Sequence, residues 1–265
     1  MTTRSIVLCA DDYGIAPGVS RGIRRLLEAE RLSATSCIVV YPEFAQEGPK
    51  LAPWADRVDI GLHVCLTHEA PLWRVMRDAY LRLHDRAAIA AEVDRQLAAF
   101  VATMGRPPDY IDGHQHVHML PGVREPVCAA AERTGAWVRN LREPLSATLT
   151  RPAAVAATAL AQLSRPLARR LARRDIATNR GFRGTRRFTP GRPFREQMVA
   201  MLRGARDGSV VICHPGESDA TLAARDAVTV LREEELAYLA GSDFPNDLAA
   251  EGLTLSRLPR RVDRA

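Results

Sequence analysis

Five of the chain's seven histidines stand in three places: His63 closes DIGLH, His114, His116 and His118 crowd into DGHQHVH, and His214 closes VVICH. Carboxylates join them, with Asp11 and Asp12 following IVLCA and Asp112 opening the histidine-rich motif. Imidazole nitrogens beside a carboxylate oxygen are the donors of a divalent metal site, and two imidazoles with one carboxylate and room for water form a catalytic rather than a structural set. His114, nearest its strand end, is the expected ligand of the cluster, while His116 and His118 read as supporting or structural residues. In an extended segment all three would share one face. The Asp11–Asp12 pair has a matching logic, in which one carboxylate binds the ion and its neighbour stays free as a base. Adjacent residues of a pleated strand point opposite ways. Both can therefore reach the site only where the chain is leaving the strand, a departure that Gly14 permits. Arg139 and Arg142 follow AWV at a fifth strand end. One polar residue after a strand can be a helix cap. Five such ends resist that reading, because histidine caps poorly and a buried charge is costly unpaired.

The elements that must position these groups are short, apolar, β-branched runs at 5–10, 35–40, 58–64, 110–114, 136–140, 209–214 and 253–256. Amphipathic stretches such as VSRGIRRLLEAERL and AAIAAEVDRQLAAFVATM separate them. Strands alternating with helices predict a parallel sheet with crossover helices, and continuous hydrophobicity predicts strands covered on both faces. The expected fold is α/β: a single-domain (β/α) barrel over 1–265, seven-stranded and TIM-like, with an open doubly wound sheet as the alternative. In such folds active sites gather at the C-terminal ends of the strands, where these polar residues lie. Two long connections, 65–85 and 142–192, carry no strand signal. The second holds RPAAVAATALAQLSRPLARRLARR, which Pro166 splits in two. An Arg-rich amphipathic helix suits an anionic membrane surface, but the expectation here is a covering helix with a solvated face.

Composition excludes several classes. With 265 residues and 46% hydrophobic content, the chain is neither disordered nor fibrous. No run approaches the roughly 18–20 apolar residues of a membrane helix, and MTTRSIVLCADD lacks a signal-peptide pattern. The net charge of +6 is no nucleic-acid footprint, since the basic residues are scattered and aromatics make up only 5%. Five cysteines in apolar runs, without a CxxC pair, read as buried thiols of a reducing, cytoplasmic compartment.

Taken together, ADDYG, GLHVCLT, YIDGHQHVHMLP, VRNLREP and CHPGESD resemble the motifs of the YdjC-like carbohydrate deacetylases, in order, from residue 10 to residue 219. The resemblance implies a (β/α) barrel and metal-dependent removal of an acetyl group from an N-acetylated amino sugar, on a chitin-oligosaccharide or glycolipid-type substrate. It assigns Asp12, His63 and His114 to the metal and Asp11 to the general base, with His214 as general acid. Arg139 and Arg142 fall where the family carries arginines near its site, with Arg139 holding Asp11 ionised and oriented. It also implies magnesium and a homodimer, whereas the ligand types themselves favour zinc, cobalt or nickel. Arg142, His116 and Phe182 are candidate substrate contacts, and Trp73 and Phe188 are further aromatics that could stack on a sugar. Two other readings stay open: a different metal-dependent hydrolase such as a phosphoesterase, or a non-catalytic sugar- or lipid-binding barrel.

Overall fold

The computed structural model describes residues 3–143, 154–185 and 192–258. Its frame is one parallel sheet of β1 (Arg4–Tyr13), β2 (Ala34–Cys37), β3 (Asp59–Val64), β4 (Tyr110–Gly113), β5 (Trp137–Val138), β6 (Gly181–Arg183), β7 (Ser209–Cys213) and β8 (Leu253–Leu255). Seven strands run in the order β5-β4-β3-β2-β1-β7-β6, the curved wall of a (β/α) barrel. The eighth strand, β8, pairs with Arg4–Ile6, while β2 pairs with β1 only from Cys9 onward. Both therefore lie on the side of β1 away from β7, one after the other.

The seven-unit expectation needs one revision. The expected strand at 253–256 is β8, beside the start of β1, and the seventh strand of the wall is β6, whose GFR is too short to show an apolar run. No ladder joins β5 to β6 among the described residues, but polar groups cross that seam. The Asn179 amide accepts from the Asn140 N–H at 2.7 Å and donates to the Asn140 carbonyl at 2.8 Å. The Ala177 carbonyl accepts from the Val138 N–H at 3.0 Å, and Thr178 Oγ1 donates to the Val138 carbonyl at 2.7 Å. Backbone groups that a ladder would have paired are thus satisfied by the Asn179 and Thr178 side chains and by the Ala177 carbonyl.

Ile6 to Ala10 are at most 1% exposed, so β1 is covered on both faces as its unbroken apolar run requires. The core includes Ile60, Leu62, Ile111, Val138, Val210 and Val211. Tyr110 stacks on Trp137, with ring centroids 4.3 Å apart. A Cβ on Gly61 would come within 2.4 Å of the Tyr110 ring, which explains the glycine inside β3.

The Ala/Arg-rich stretch forms the helices Ala154–Leu163 and Arg165–Arg173, with Pro166 in the first turn of the second. Leu167, Ala168 and Leu171 are buried under it, and Arg170 and Arg174 pair with Glu125. The second helix therefore covers the barrel with a solvated basic face. The connection 65–85 contains a further helix, Leu72–Tyr80, started at Pro71.

Candidate metal centre and active site

All the expected strand-end residues except Arg142 meet at one end of the barrel. Their convergence begins with a bulge. Ala10 is in register with Thr35 and Tyr13 with Cys37, so three steps on β1 oppose two on β2. Asp12 sits in this bulge with φ 74°, a left-handed conformation that aspartate tolerates better than most residues. The irregularity turns consecutive aspartates toward the same side while β1 continues to Tyr13. The reorientation therefore occurs at Asp12, before the Gly14 that the sequence suggests for it.

Asp12 Oδ1 lies 2.8 Å from His114 Nδ1 and 3.4 Å from His63 Nε2. The three donor atoms fall within 4.8 Å of one another. On the far side of His63, Nδ1 lies 2.6 Å from Asp112 Oδ1. A carboxylate can only accept, so Nδ1 carries the proton and Nε2 is turned toward Asp12. A carboxylate behind a histidine is the usual device for fixing a metal-binding imidazole. One carboxylate oxygen and two ring nitrogens, with the remaining side open to a cavity, fit a divalent cation of the zinc, cobalt or nickel type. Asp11, His63 and Asp112 form a second such group. There Arg139 already occupies both carboxylates, so a cation would have to displace a guanidinium.

Asp11 is gripped from several sides. Arg139 Nη1 donates to its Oδ2 and Nη2 to its Oδ1, both at 2.7 Å, and Ser36 Oγ donates to Oδ1 at 2.8 Å. Arg139, 0% exposed, also reaches Asp112 Oδ2 at 2.6 Å. Burial alone would raise the Asp11 carboxyl, but the Arg139 charge and hydrogen bonds outweigh it and hold Asp11 well below the usual carboxylate range. Asp12 follows the same pattern, with burial opposed by His114 and Arg232. For His63, burial favours the neutral ring, yet Asp112 and Asp11 push its pKa up to about 10. His214 Nε2 stands 4.0 Å from Asp11 Oδ2, and its backbone N–H donates to the buried Glu235 at 2.6 Å.

The histidine-rich motif does not stay extended. After Gly113 the chain coils into a tight turn with Gln115 at φ 50° and His116 at φ 63°. His114, His116 and His118 consequently point three ways instead of sharing a face. His118 is buried and bonds the Arg139 carbonyl at 3.1 Å. His116 lines the cavity and meets the Phe182 ring edge-on, centroids 5.6 Å apart. Burial, with His118 and Arg139 nearby, lowers the His116 pKa to about 3.

The cavity above these residues holds about 410 Å³. Ala156, Leu160, Ile212 and Val228 contribute apolar lining beside the polar Asp11, Asp12 and His214. Two expected substrate contacts are placed elsewhere. Phe182 is 2% exposed and backs His116, so it offers no face to a sugar. Arg142 is exposed and lines a hollow with Ser5, Asp207 and Gly208, at the opposite ends of β1 and β7. Trp73 is 64% exposed under the Arg77 guanidinium, and Phe188 lies outside the described residues. Three further residues belong to the site without a role that the sequence suggests: Asp112, Ser36 and Arg232. Asp112 stood inside the histidine motif, whereas Ser36 and Arg232 carry no local signal.

The profile of the family described as YdjC-like protein matches residues 5–250. The chain belongs to that family. Among curated relatives, this YdjC-like protein is 33% identical over 155 residues to a chitooligosaccharide deacetylase of Serratia marcescens, covering 52% of this chain and 60% of the relative. It is 30% identical over 156 residues to the chitooligosaccharide deacetylase of Enterobacter sp. strain 638, again 52% and 60%. The match therefore spans less than two thirds of each relative. Among solved structures, an Enterococcus faecalis protein described as a cellobiose-phosphate cleavage protein superposes with a TM-score of 0.73 at 18% identity, over 97% of this chain and 98% of that one. The Bc1960 peptidoglycan N-acetylglucosamine deacetylase gives 0.53 at 11% identity, over 96% and 86%. These two share the fold.

Proposed function

We propose that this YdjC-like protein hydrolyses the acetamide of an N-acetylated amino sugar, on a chitin-oligosaccharide or glycolipid-type substrate. The observation that carries the reading is the convergence of Asp12, His63 and His114 on one point, directly beside an ionised Asp11. The names of the curated relatives support the same chemistry. An acetamide resists hydrolysis because its carbonyl is a poor electrophile and its amine a poor leaving group. A divalent cation held by Asp12, His63 and His114 would supply carbonyl polarisation and a more acidic water.

The remaining work falls to the chain's own residues. Asp11 accepts a proton from the attacking water, and Arg139 keeps it ionised and oriented for that task. Asp112 fixes the ring of His63. His214, 4.0 Å from Asp11, delivers a proton to the departing sugar nitrogen. The apolar lining of Ala156, Leu160 and Ile212 suits the acetyl methyl, and His116 contributes a neutral ring at the rim.

The donor set favours zinc, cobalt or nickel, and the family resemblance favours magnesium. Five buried free cysteines support a reducing, cytoplasmic setting. Among the described residues no helix is long and apolar enough to cross a membrane. A homodimer is proposed on the family resemblance. The test is acetate release from N-acetylated chitooligosaccharides and acetylated glucosaminyl lipids, with and without chelator. Release that stops with chelator and returns with added metal is expected. Release of phosphate from a phosphorylated sugar in a parallel assay with no acetate release from the acetylated substrates, or release of nothing despite bound metal, would overturn the reading.

A further inference from the structure

Arg232 belongs to none of the motifs, yet it is one of the largest fully buried side chains in the protein, 2% exposed. It lies near the start of the helix Val230–Ala240 and reaches into the site from the side opposite His63 and His114. Its Nη2 donates to Asp12 Oδ2 at 2.7 Å and to Asp226 Oδ2 at 2.5 Å, and its Nε donates to the Val228 carbonyl at 3.1 Å. The other oxygen of Asp12, Oδ1, faces His114 Nδ1 at 2.8 Å and His63 Nε2 at 3.4 Å. The two oxygens of one carboxylate thus have separate partners.

We propose that Arg232 is a positioning residue: by occupying Oδ2 of Asp12 it reserves Oδ1 for the cation, and it couples that choice to the cavity rim at Asp226–Val228. The proposal rests on the reading of Asp12, His63 and His114 as a metal centre. A carboxylate turns easily about its last torsion, which is broad rather than three-fold. Left alone, Asp12 could offer the cation one oxygen, both or neither. A guanidinium is a rigid planar fork, so one already fixed at Asp226 and Val228 removes that freedom.

The rim that holds Arg232 is itself anchored. Asp226 Oδ1 accepts from the Val228 N–H at 2.8 Å. Next to it, Arg225 grips both oxygens of Glu43 at 2.8 and 2.9 Å and donates to the Ile15 carbonyl at 2.6 Å. Ile15 follows β1 by two residues, so the rim and the strand that carries Asp12 are braced together. A ligand that moves Asp226 or Val228, both on the cavity wall, would act on Asp12 through Arg232.

The sign of one measurement separates positioning from a plain field effect. A positive charge near a cation repels it, so if Arg232 acted only through its charge, removing it would tighten metal binding. If it positions Asp12, removing it weakens binding, by the roughly 10–100-fold typical of partners behind a metal ligand. The experiment is competitive zinc titration against a chromophoric chelator, on the full chain, for wild type, Arg232→Gln and Arg232→Lys, with visible spectra of the cobalt-loaded forms. Arg232→Gln is expected to bind zinc about 10–100-fold more weakly. Its cobalt bands are expected to weaken as Asp12 engages with both oxygens and the coordination number rises. Arg232→Lys, which keeps the charge and loses the fork, should fall between.

Zinc affinity equal to or tighter than wild type, with an unchanged cobalt spectrum, would overturn the proposal. Should Arg232→Gln not fold, the lysine variant decides by the same two readouts. If the wild type itself takes up neither zinc nor cobalt, the metal-centre reading falls and this proposal falls with it. A metal-binding wild type with unaffected variants sinks this proposal alone.

Discussion

Replacing Arg139 with glutamine removes the guanidinium shared by the buried carboxylates Asp11 and Asp112. In the wild type its Nη groups lie 2.7 Å from both oxygens of Asp11 and 2.6 Å from Asp112 Oδ2. Glutamine leaves Asp11 and Asp112 facing each other with no guanidinium between them. Breaking a buried ion pair from one side costs about 3–5 kcal/mol, a large share of the 5–15 kcal/mol that stabilises a typical domain. The protein can relieve part of this by taking up a proton. At about 1.4 kcal/mol per pKa unit, the cost corresponds to a rise of about 2–4 units at Asp11. In the wild type Asp11 titrates well below its ordinary 3.8, so its stabilising contribution is complete above that pH and is lost as the pH falls below it. In the variant the folded-state pKa of Asp11 rises toward 3.8, so that contribution shrinks. Because Asp11 must be ionised to accept a proton, the acid limb of the pH–rate profile moves up with it. Acetate release measured against pH, alongside urea unfolding, reads both effects. An Arg139→Gln protein with the wild-type acid limb and the wild-type unfolding midpoint would refute the reasoning.

Asp11→Asn should keep its metal and lose turnover by at least a hundredfold, in line with removal of a general base; normal turnover would assign the base elsewhere. His118 offers a stability test, because burial and the Arg139 charge hold its pKa near 3 instead of 6.5. A base with a lowered folded pKa contributes fully above pH 6.5 and loses that contribution as pH falls, so urea titrations should show the wild type losing about 2–3 kcal/mol more than His118→Asn between pH 6.5 and 4.5. Equal losses would contradict the buried neutral ring. His63, raised to about 10, must give up a proton to become a ligand, so apparent zinc affinity should climb about tenfold per pH unit between pH 7 and 9. A flat dependence there would show that His63 is not a ligand.

Sequence was most informative where a chemically dense motif met a strand end. Asp11, His63, His114, Arg139 and His214 each follow an apolar run, and a parallel sheet carries such ends to one rim whatever the details of the connections. Local backbone geometry was harder to read. The bulge at Asp12 and the positive φ of Gln115 and His116 depend on packing from neighbouring strands, and no glycine marks those positions. Strand β6 escaped notice because three residues, one of them glycine, cannot display a periodic pattern. Arg232 was hidden for a different reason. Within VLREEEL it reads as one charge of a solvated helix, and only the packing of that helix against Asp12 and Asp226 buries it. Phe182 and Arg142 erred in the opposite sense: residue type suggested a contact, and the fold turned one into the wall and the other to the far end.

Metal content tests the central claim most directly. The full chain, stripped and then dialysed against zinc, should retain one equivalent by elemental analysis, while Asp12→Asn and His114→Ala retain none and keep wild-type circular dichroism. A folded His114→Ala protein that still holds one equivalent and releases acetate would contradict the account.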